Sequence, residues 1–183
     1  MRFSISQIAP QAWKNGGGST QELARADGDA GTAQMIWRAS LAQIDQDGPF
    51  STFPGLSRIH CIVAGAGLQL SNGDYRLSAK PLDPLYFDGG LDLEARLKEG
   101  PCTAFNLIYE PNLIRPEMQI CEAGTHRLGD GAHLVFALTG KLRLDLPEAE
   151  ICLGQGDGWH GDFSGLVEIA PGSRAVLVGL ELI

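Results

Sequence analysis

The sequence has no run of basic residues and no long apolar run. Its 14 Lys and Arg are outnumbered by 22 Asp and Glu, which gives a formal net charge of −8. Neither nucleic acid nor an anionic membrane is therefore expected as a partner. No apolar stretch reaches the roughly 18 residues that a membrane span needs. The first ten residues, MRFSISQIAP, also lack the apolar core of a signal peptide. These absences predict a cytoplasmic protein.

Cysteine pairs with the spacing of a metal or redox site are also missing. The four cysteines are Cys61, Cys102, Cys121 and Cys152, and none belongs to a Cys-x-x-Cys pair. Each has apolar neighbours, which is typical of buried and unreactive thiols. Disulfides are not expected in a reducing compartment.

The histidines form no recognisable metal motif. No His-x-His or His-Glu-x-x-His pattern links His60, His126, His133 and His160. His60 and His133 both lie in strand-like segments and could converge, but ordinary strand histidines are the better explanation. The sequence therefore predicts no metal ligand and no cofactor.

Motifs for covalent or acid–base catalysis are absent too. There is no Gly-x-Ser-x-Gly elbow for a serine nucleophile. Glu22, Asp45 and Asp47 could act as acid or base, but no motif pairs them and solvated loop positions account for them. No catalytic residue is predicted.

What the sequence does contain is a series of short strand-like segments separated by Gly, Pro, Asn and Asp. Apolar residues alternate in MIWRASLAQ, LDLEARL and LRLDL, which is the period of a half-buried strand. SNGDY, residues 71–75, has Asn-Gly between two such segments and predicts a hairpin. No convincing helix is present, so the predicted class is all-β, with barrels or sandwiches.

A faint internal repeat relates the two halves. Residues 68–90 align with 142–164 at a constant offset of 74, which matches Leu68 to Leu142 and Leu70 to Leu144. The repeat predicts one β-unit at about 50–110 and another at about 117–183, with the Pro-containing stretch EPNLIRPEMQ between them. With the N-terminal strands added, the predicted domains are residues 1–110 and 111–183.

The stretch WKNGGGST, residues 13–20, places three glycines between a Trp-Lys-Asn triplet and a Ser-Thr pair. A phosphate loop is excluded, because it would need the lysine after the glycines and a helix beyond it. A plain turn needs only one or two glycines. The alternative is a pocket wall where the backbone approaches a ligand closely. On that interpretation the binding residues are Trp13, Lys14, Asn15, Gly16, Gly17 and Gly18.

Three further residues are candidate anion donors. Arg58 opens the strand-like segment RIHCIVAG, after a turn-rich stretch with aromatic anchors, DGPFSTFPG. If its side chain points into a barrel instead of solvent, the desolvated guanidinium needs a carboxylate from the protein or from a ligand. Arg38 and Ser40 are spaced i, i+2 on one strand face, roughly 7 Å apart.

Three blocks together resemble the HutD/Ves family. They are WKNGGGSTQELA, WRASLAQIDQDGPFSTFPGLSRIH and GPCTAFNLIY, and their order and spacing agree over residues 13–109. Family members often carry an acidic residue before Phe-Asn in the third block and basic residues after it. Here Ala104 precedes, and Glu110 with Pro111 follows. The resemblance implies a bicupin, that is, two small cupin-like β-barrels in one chain, and it adds Asn106 to the candidate site.

The resemblance also implies a biological setting, which is bacterial histidine utilisation or a stress response, without an established reaction. The preferred hypothesis is a non-catalytic sensor or modulator that binds a small carboxylate, such as an intermediate of histidine breakdown, as a monomer or homodimer. One alternative is a metal-dependent cupin enzyme, an isomerase or dioxygenase, acting on a small organic acid. Another is an interaction module whose barrels are filled by their own side chains.

Overall fold

The computed structural model describes residues 1–28, 35–147 and 149–183. These residues form strands almost throughout, with one short 3₁₀ turn at Ile5–Gln7 and no α-helix. The predicted all-β class is confirmed. In chain order the strands are β1 Arg2–Ser4, β2 Gln11–Ala12, β3 Gly18–Asp27, β4 Met35–Ile44, β5 Gly48–Phe50, β6 Ser57–Ala64, β7 Leu68–Ser71, β8 Arg76–Ala79, β9 Leu85–Asp88, β10 Leu93–Leu97, β11 Cys102–Tyr109, β12 Ile114–Leu128, β13 Ala132–Thr139, β14 Lys141–Leu146, β15 Ala149–Gly154, β16 Asp157–Asp162 and β17 Gly165–Leu182.

The chain divides into two compact units. Ile8–Leu113 forms one, called here the N-terminal unit, and Met1–Gln7 with Ile114–Ile183 forms the other, called the C-terminal unit. This division differs from the predicted domains at residues 111–113, which fall in the N-terminal unit, and in the first seven residues, which were expected to belong to the N-terminal domain.

Strand β1 explains that difference, because it pairs antiparallel with β16. Phe3 lies opposite Gly158, and a Cβ built on that glycine would lie only 2.1 Å from the Phe3 ring. The Phe3 ring also stacks on Phe136, with 6.2 Å between centroids. The absent side chain of Gly158 therefore makes the space into which the N-terminal strand packs.

The N-terminal unit contains two antiparallel sheets. One has the strand order β2-β3-β4-β11-β6-β9, and the other has the order β5-β10-β7-β8. Alternate side chains of both sheets meet in a shared apolar core, as expected for strands with a period of two. The buried members of that core are Ala42, Ile44, Phe50, Ile62, Leu68, Leu70, Ala79, Leu93, Ala95, Cys102 and Ala104.

The C-terminal unit is built on one seven-stranded sheet. Its order is β1-β16-β13-β17-β14-β15, and β12 pairs with the long strand β17. The interior is filled by apolar side chains, and the edge of the Trp159 ring meets Phe163 at 5.0 Å between centroids. The remaining buried members are Cys121, Val135, Ala137, Leu142, Leu144, Leu153, Val167, Ile169, Ala175 and Leu177.

The predicted hairpin and repeat correspond to matching strand pairs. SNGDY joins β7 to β8, and in that pair Leu70 lies opposite Leu77. In the pair β14–β15, Leu144 lies opposite Ile151. Both residues of the second pair are 74 positions after those of the first, so the repeat in sequence is also a repeat in register.

The predicted connector is shorter than expected. β12 already begins at Ile114 and includes Pro116, which lies opposite Leu180 of β17. A proline cannot donate a hydrogen bond, but it is tolerated in a strand that pairs on one side. Among the described residues β12 pairs only with β17, so Pro116 does not end the strand.

Three of the four cysteines are buried as predicted. Burial raises the pKa of the thiols of Cys61 and Cys102, to about 12 and about 11 respectively, which keeps them protonated. Cys121 is buried as well, whereas Cys152 is exposed, which corrects the expectation for that residue. Because side chains alternate along β15, the next residue, Leu153, faces the core instead.

Within the described ranges, no helix has the length and apolar character that crossing a bilayer requires.

Candidate functional site

The site is built on three neighbouring strands, β4, β11 and β6. Their register places Arg38 opposite Ile108, and Ile108 opposite Arg58. Strands lie about 4.8 Å apart, so the two arginines start roughly 10 Å from each other on one face of the sheet. The predicted anion donors of β4 and β6 are thereby brought to one place.

The next row of the same face carries polar residues. Asn106 lies opposite Ser40 on one side and opposite His60 on the other, and Ser40 lies opposite Glu22 of β3. Ser40, His60 and Asn106 are all buried. Since each is two positions from a residue of the first row, both rows point the same way, as Arg38 and Ser40 were predicted to do.

A cavity of about 280 Å³ lies over these two rows. Its residues come entirely from the N-terminal unit and include charged, polar and aromatic side chains. They are Gln11, Ala12, Trp13, Thr20, Glu22, Arg38, Ser40, Ala42, Pro49, Phe50, Ser51, Phe53, Arg58, His60, Asn106 and Ile108.

Arg58 is the most unusual residue of the cavity, because it is a buried cation whose hydrogen bonds go only to neutral oxygens. It is 5% exposed. Nη1 donates to the carbonyl oxygen of Ser51 at 2.9 Å, and Nη2 donates to Oδ1 of Asn106 at 3.1 Å. Among the described residues Nε has no partner, and no carboxylate oxygen lies within 4.0 Å of the guanidinium.

Aromatic rings surround the Arg58 guanidinium. Its Cζ lies 4.3 Å from the ring centroid of Phe50, 5.3 Å from that of Phe53 and 5.4 Å from that of Phe87. The ring faces attract a cation but offer no acceptor for its N–H groups. Burial, followed by the positive charge of Arg38, lowers the Arg58 pKa to about 9. The side chain therefore stays charged at neutral pH.

His60 lies beside Arg58 and shares its amide partner. The Nδ1 atom is 2.7 Å from Oδ1 of Asn106, the oxygen that also accepts from Arg58. Burial is the main cause that lowers the His60 pKa to about 4; the charge of Arg58 acts in the same direction, and the bond to Asn106 opposes it. The ring is therefore neutral at pH 7. Nδ1 donates its proton to the amide oxygen, which leaves Nε2 as an acceptor without a partner in the described part of the chain.

Arg38 lies nearer to solvent than Arg58. Its Nη1 is 3.8 Å from Oε2 of Glu22, a distance that allows an ion pair but exceeds a hydrogen bond. Its Cζ lies 5.4 Å from the ring of Phe53, so both guanidinium groups pack against the same phenylalanine. Nε of Arg38 is buried and lacks a partner among the described residues.

The triple glycine forms a turn, and its residues are not among those that line the cavity. Gly16 donates its N–H to the carbonyl oxygen of Trp13, and Trp13 donates to the carbonyl oxygen of Gly18, which closes the turn. Asn15 caps it by accepting from the N–H of Gly17 at 3.0 Å. Gly16 has a φ of +71°, a backbone conformation that favours glycine. Lys14 is likewise not among the described lining residues.

Gly18 does mark a close approach, but to the protein itself. A Cβ at this position would lie 2.0 Å from the carbonyl oxygen of Gln43 on the neighbouring strand. Of residues 13–20, Trp13 and Thr20 line the cavity, and Nε1 of Trp13 donates to Oγ1 of Thr20 at 2.8 Å. The interpretation of the glycines as a pocket wall is corrected accordingly.

Of the predicted binding residues, five line the cavity: Trp13, Arg38, Ser40, Arg58 and Asn106. Glu22, His60 and Phe53 were not predicted as binding residues, and the expectation of a solvated loop position for Glu22 is corrected, because it lies in β3 and lines the cavity. A signal for His60 was present, because it follows Arg58 by two positions in a strand and so shares its face. Phe53 belongs to the turn-rich stretch DGPFSTFPG, whose aromatic residues are predicted anchors. The sequence does not indicate which groups they contact.

A larger concavity of about 810 Å³ lies in the C-terminal unit, but its arginine is already paired and its lysine, Lys141, is exposed to solvent. Its Arg143 donates to Glu150 at 2.7 Å and to Glu168 at 2.6 Å. The buried residues that line it are apolar, namely Leu142, Leu153 and Ile169. The smaller cavity, which contains a buried cation without a counter-ion among the described residues, is therefore the better candidate for a binding site.

The residues do not fit a metal centre. No group of three or more His, Cys, Asp or Glu side chains in the described ranges is arranged to hold an ion. His60 uses Nδ1 for Asn106. His133 belongs to the other unit, where its Nε2 lies 2.8 Å from the carbonyl oxygen of Gly129.

Comparison with solved structures supports the cupin likeness of the fold. An oxalate decarboxylase from Bacillus subtilis matches 99% of this chain and 77% of its own chain with a TM-score of 0.69. The sequence identity is 10%, so this likeness concerns the fold alone. The predicted cupin-like architecture is confirmed.

Closer relatives share sequence as well as fold. An uncharacterized 21.2 kDa protein in the hutC 3′ region of Pseudomonas putida is 36% identical over 142 residues, 76% of this chain and 74% of the relative. The protein Ves of Escherichia fergusonii is 28% identical over 86% of this chain and 82% of its own length. The structure of HutD from Pseudomonas fluorescens SBW25 has a TM-score of 0.83 and 29% identity, and the match covers 100% of this chain and 98% of HutD.

The HutD family model matches residues 5–173, which is nearly the whole chain. That family is associated with the histidine-utilisation operon region. The predicted resemblance is thus confirmed on all three sequence blocks and on both units: the chain belongs to the HutD family.

Proposed function

We propose that this protein binds a small carboxylate in the cavity of its N-terminal unit, as a non-catalytic modulator or sensor in bacterial histidine utilisation. The observation that carries the proposal is the unpaired charge of Arg58. A buried guanidinium with three neutral rings around it and no carboxylate within 4.0 Å among the described residues is electrostatically incomplete. A ligand carboxylate would supply the missing charge through a bidentate, charge-assisted contact.

The remaining polar groups support a ligand with more than one functional group. Arg38 and Ser40 add donors on the same sheet face, and Nε2 of His60 is a neutral acceptor. The cavity of about 280 Å³ is sized for a small metabolite. No group of three or more metal-ligating side chains is found in the described part of the chain, and the sequence contains no recognised catalytic motif, so the proposal assigns binding and not turnover.

Because the family is associated with the histidine-utilisation operon region, the candidate ligands are acids of histidine breakdown. The test is a thermal-shift screen of the purified protein with urocanate, formylglutamate, formiminoglutamate, histidine and glutamate. A ligand at 100 times its Kd should add about 2.7 kcal/mol to the free energy of unfolding, which for a chain of this size raises Tm by several degrees. The matching carboxamides should give no shift. No response to any of the acids would contradict the proposal.

The rival function, a metal-dependent enzyme of cupin type, has a separate test. It requires a stoichiometric transition metal in the purified protein, and that metal should be lost when His60 is replaced. Elemental analysis of the wild type and of His60→Gln distinguishes the two functions.

A further inference from the structure

The charges that line the cavity do not cancel. Two guanidinium groups, those of Arg38 and Arg58, face one carboxylate, that of Glu22. Glu22 lies 3.8 Å from Arg38, and the described residues provide no second carboxylate for Arg58. The formal sum is one positive charge, which a ligand with one negative charge would balance.

Glu22 and Arg58 also mark opposite ends of the cavity. Arg58 is 5% exposed, whereas the Glu22 side chain is 39% exposed and therefore closer to solvent. Across neighbouring strands, Glu22 lies opposite Ser40, Ser40 opposite Asn106, and Asn106 opposite His60, so these residues form one row. This row crosses four strands, or roughly 14 Å between the outer Cα atoms. A small ligand whose carboxylate is anchored at Arg58 thus directs its other end towards Glu22.

The Glu22 carboxylate has hydrogen-bond acceptors available for that end of the ligand, although Arg38 and Arg25 interact with its charge. Its distance to Arg38 exceeds a hydrogen bond, and no described residue donates a hydrogen bond to it. A second carboxylate at this end of the ligand would be repelled by Glu22, whose charge also offsets the attraction of the nearby Arg38. A neutral group with an N–H or O–H would instead find an acceptor.

We propose that Glu22 selects ligands by their charge. The cavity then accepts monocarboxylates whose other end is neutral or donates a hydrogen bond, and it rejects dicarboxylates. This inference rests on the proposed binding of a carboxylate at Arg58. Discrimination by a repulsive group is a common source of specificity in binding sites. Because Glu22 is partly exposed, solvent weakens the repulsion, and we expect about a tenfold preference.

The test compares glutarate with its monoamide, which has the same size and one carboxylate fewer. Both are titrated calorimetrically into the wild type and into Glu22→Gln. The wild type should bind the monoamide about tenfold more tightly than glutarate. In Glu22→Gln the ratio should fall to within about threefold or reverse, because the charge of Arg38 is then also available to the second carboxylate. The ratio is the readout, since freeing Arg38 can strengthen the binding of both acids.

Glu168→Gln is the matched control. It removes the same charge from a carboxylate of similar exposure, 43%, that pairs with Arg143 and does not line this cavity. It should behave as the wild type does. An unchanged ratio in Glu22→Gln, or a wild type that prefers glutarate, would overturn the inference and leave the proposed function standing. A wild type that binds neither acid would also overturn the inference, whereas the proposed function is contradicted only if none of the five acids of the thermal-shift screen binds.

Discussion

Acid should destabilise this protein through His60. The ring is fully buried, and its pKa is lowered from 6.5 to about 4, chiefly by burial and in part by the charge of Arg58. Between these two values the unfolded chain binds a proton that the folded chain does not. The corresponding stability is therefore complete above about pH 6.5 and is lost as the pH falls towards 4. At about 1.4 kcal/mol for each pKa unit, the loss amounts to roughly 2–3 kcal/mol by pH 4.5.

The assay is urea unfolding at a series of pH values from 7.5 to 4.5, for the wild type and for His60→Gln. Surface carboxylates titrate in the same range, so the measured quantity is the difference between the two curves. His126→Gln is the control, because the hydrogen bond of His126 to the carbonyl oxygen of Glu122 is exposed to solvent. The control should follow the wild type, whereas His60→Gln should lose less stability as the pH falls. Parallel curves for His60→Gln and the wild type would refute the reasoning.

Two further predictions concern stability. In the glycine turn, Gly18→Ala should lower the free energy of unfolding by about 3 kcal/mol or more, because its Cβ meets the Gln43 carbonyl oxygen at 2.0 Å. Gly16→Ala should lower the free energy of unfolding by about 1 kcal/mol, because this position has a positive φ. Gly17→Ala should lower it by less, since only the Asn15 side chain must move. Urea melts that reverse this order would show that the turn is assigned wrongly. Arg58→Met should leave the ligand-free protein as stable as the wild type or more so, by up to about 2 kcal/mol, because a buried cation without a counter-ion is removed. A large loss of stability in the same melts would instead make Arg58 a structural residue.

Much of the fold follows from local sequence patterns. The alternation in MIWRASLAQ predicts that Arg38 and Ser40 share one face, and β4 places them so. The offset of 74 predicts two related units, and the hairpins β7–β8 and β14–β15 repeat their register at that offset. These features depend on neighbours in sequence, which is why they can be predicted.

Long-range partners could not be predicted in this way. Nothing local in Arg2–Ser4 indicates that it pairs with β16 instead of a nearby strand. A run of glycines indicates that something approaches the backbone, but not what approaches it. At Gly18 the neighbour is a carbonyl oxygen of the adjacent strand, where a ligand had been expected.

In the candidate site, too, some features can be predicted from the local sequence and others cannot. Arg58 was predicted from its chemistry and its place at the start of a strand. Its environment depends on residues far apart in the chain, because Asn106 is 48 positions away. The missing counter-ion, which carries the proposed function, is visible only when every neighbour of the guanidinium is known.

The most direct test of the account is the affinity of Arg58 variants for a carboxylate. The strongest binder among the five acids of the screen is titrated calorimetrically into the wild type, Arg58→Lys and Arg58→Met, with urea melts to confirm that each variant is folded. Loss of one partner of a buried charge pair costs about 2–5 kcal/mol, so Arg58→Met should bind roughly 30-fold to several thousand-fold more weakly. Arg58→Lys should recover part of the affinity, because it keeps the charge and loses the bidentate fork. A folded Arg58→Met that binds the acid as tightly as the wild type would contradict the account.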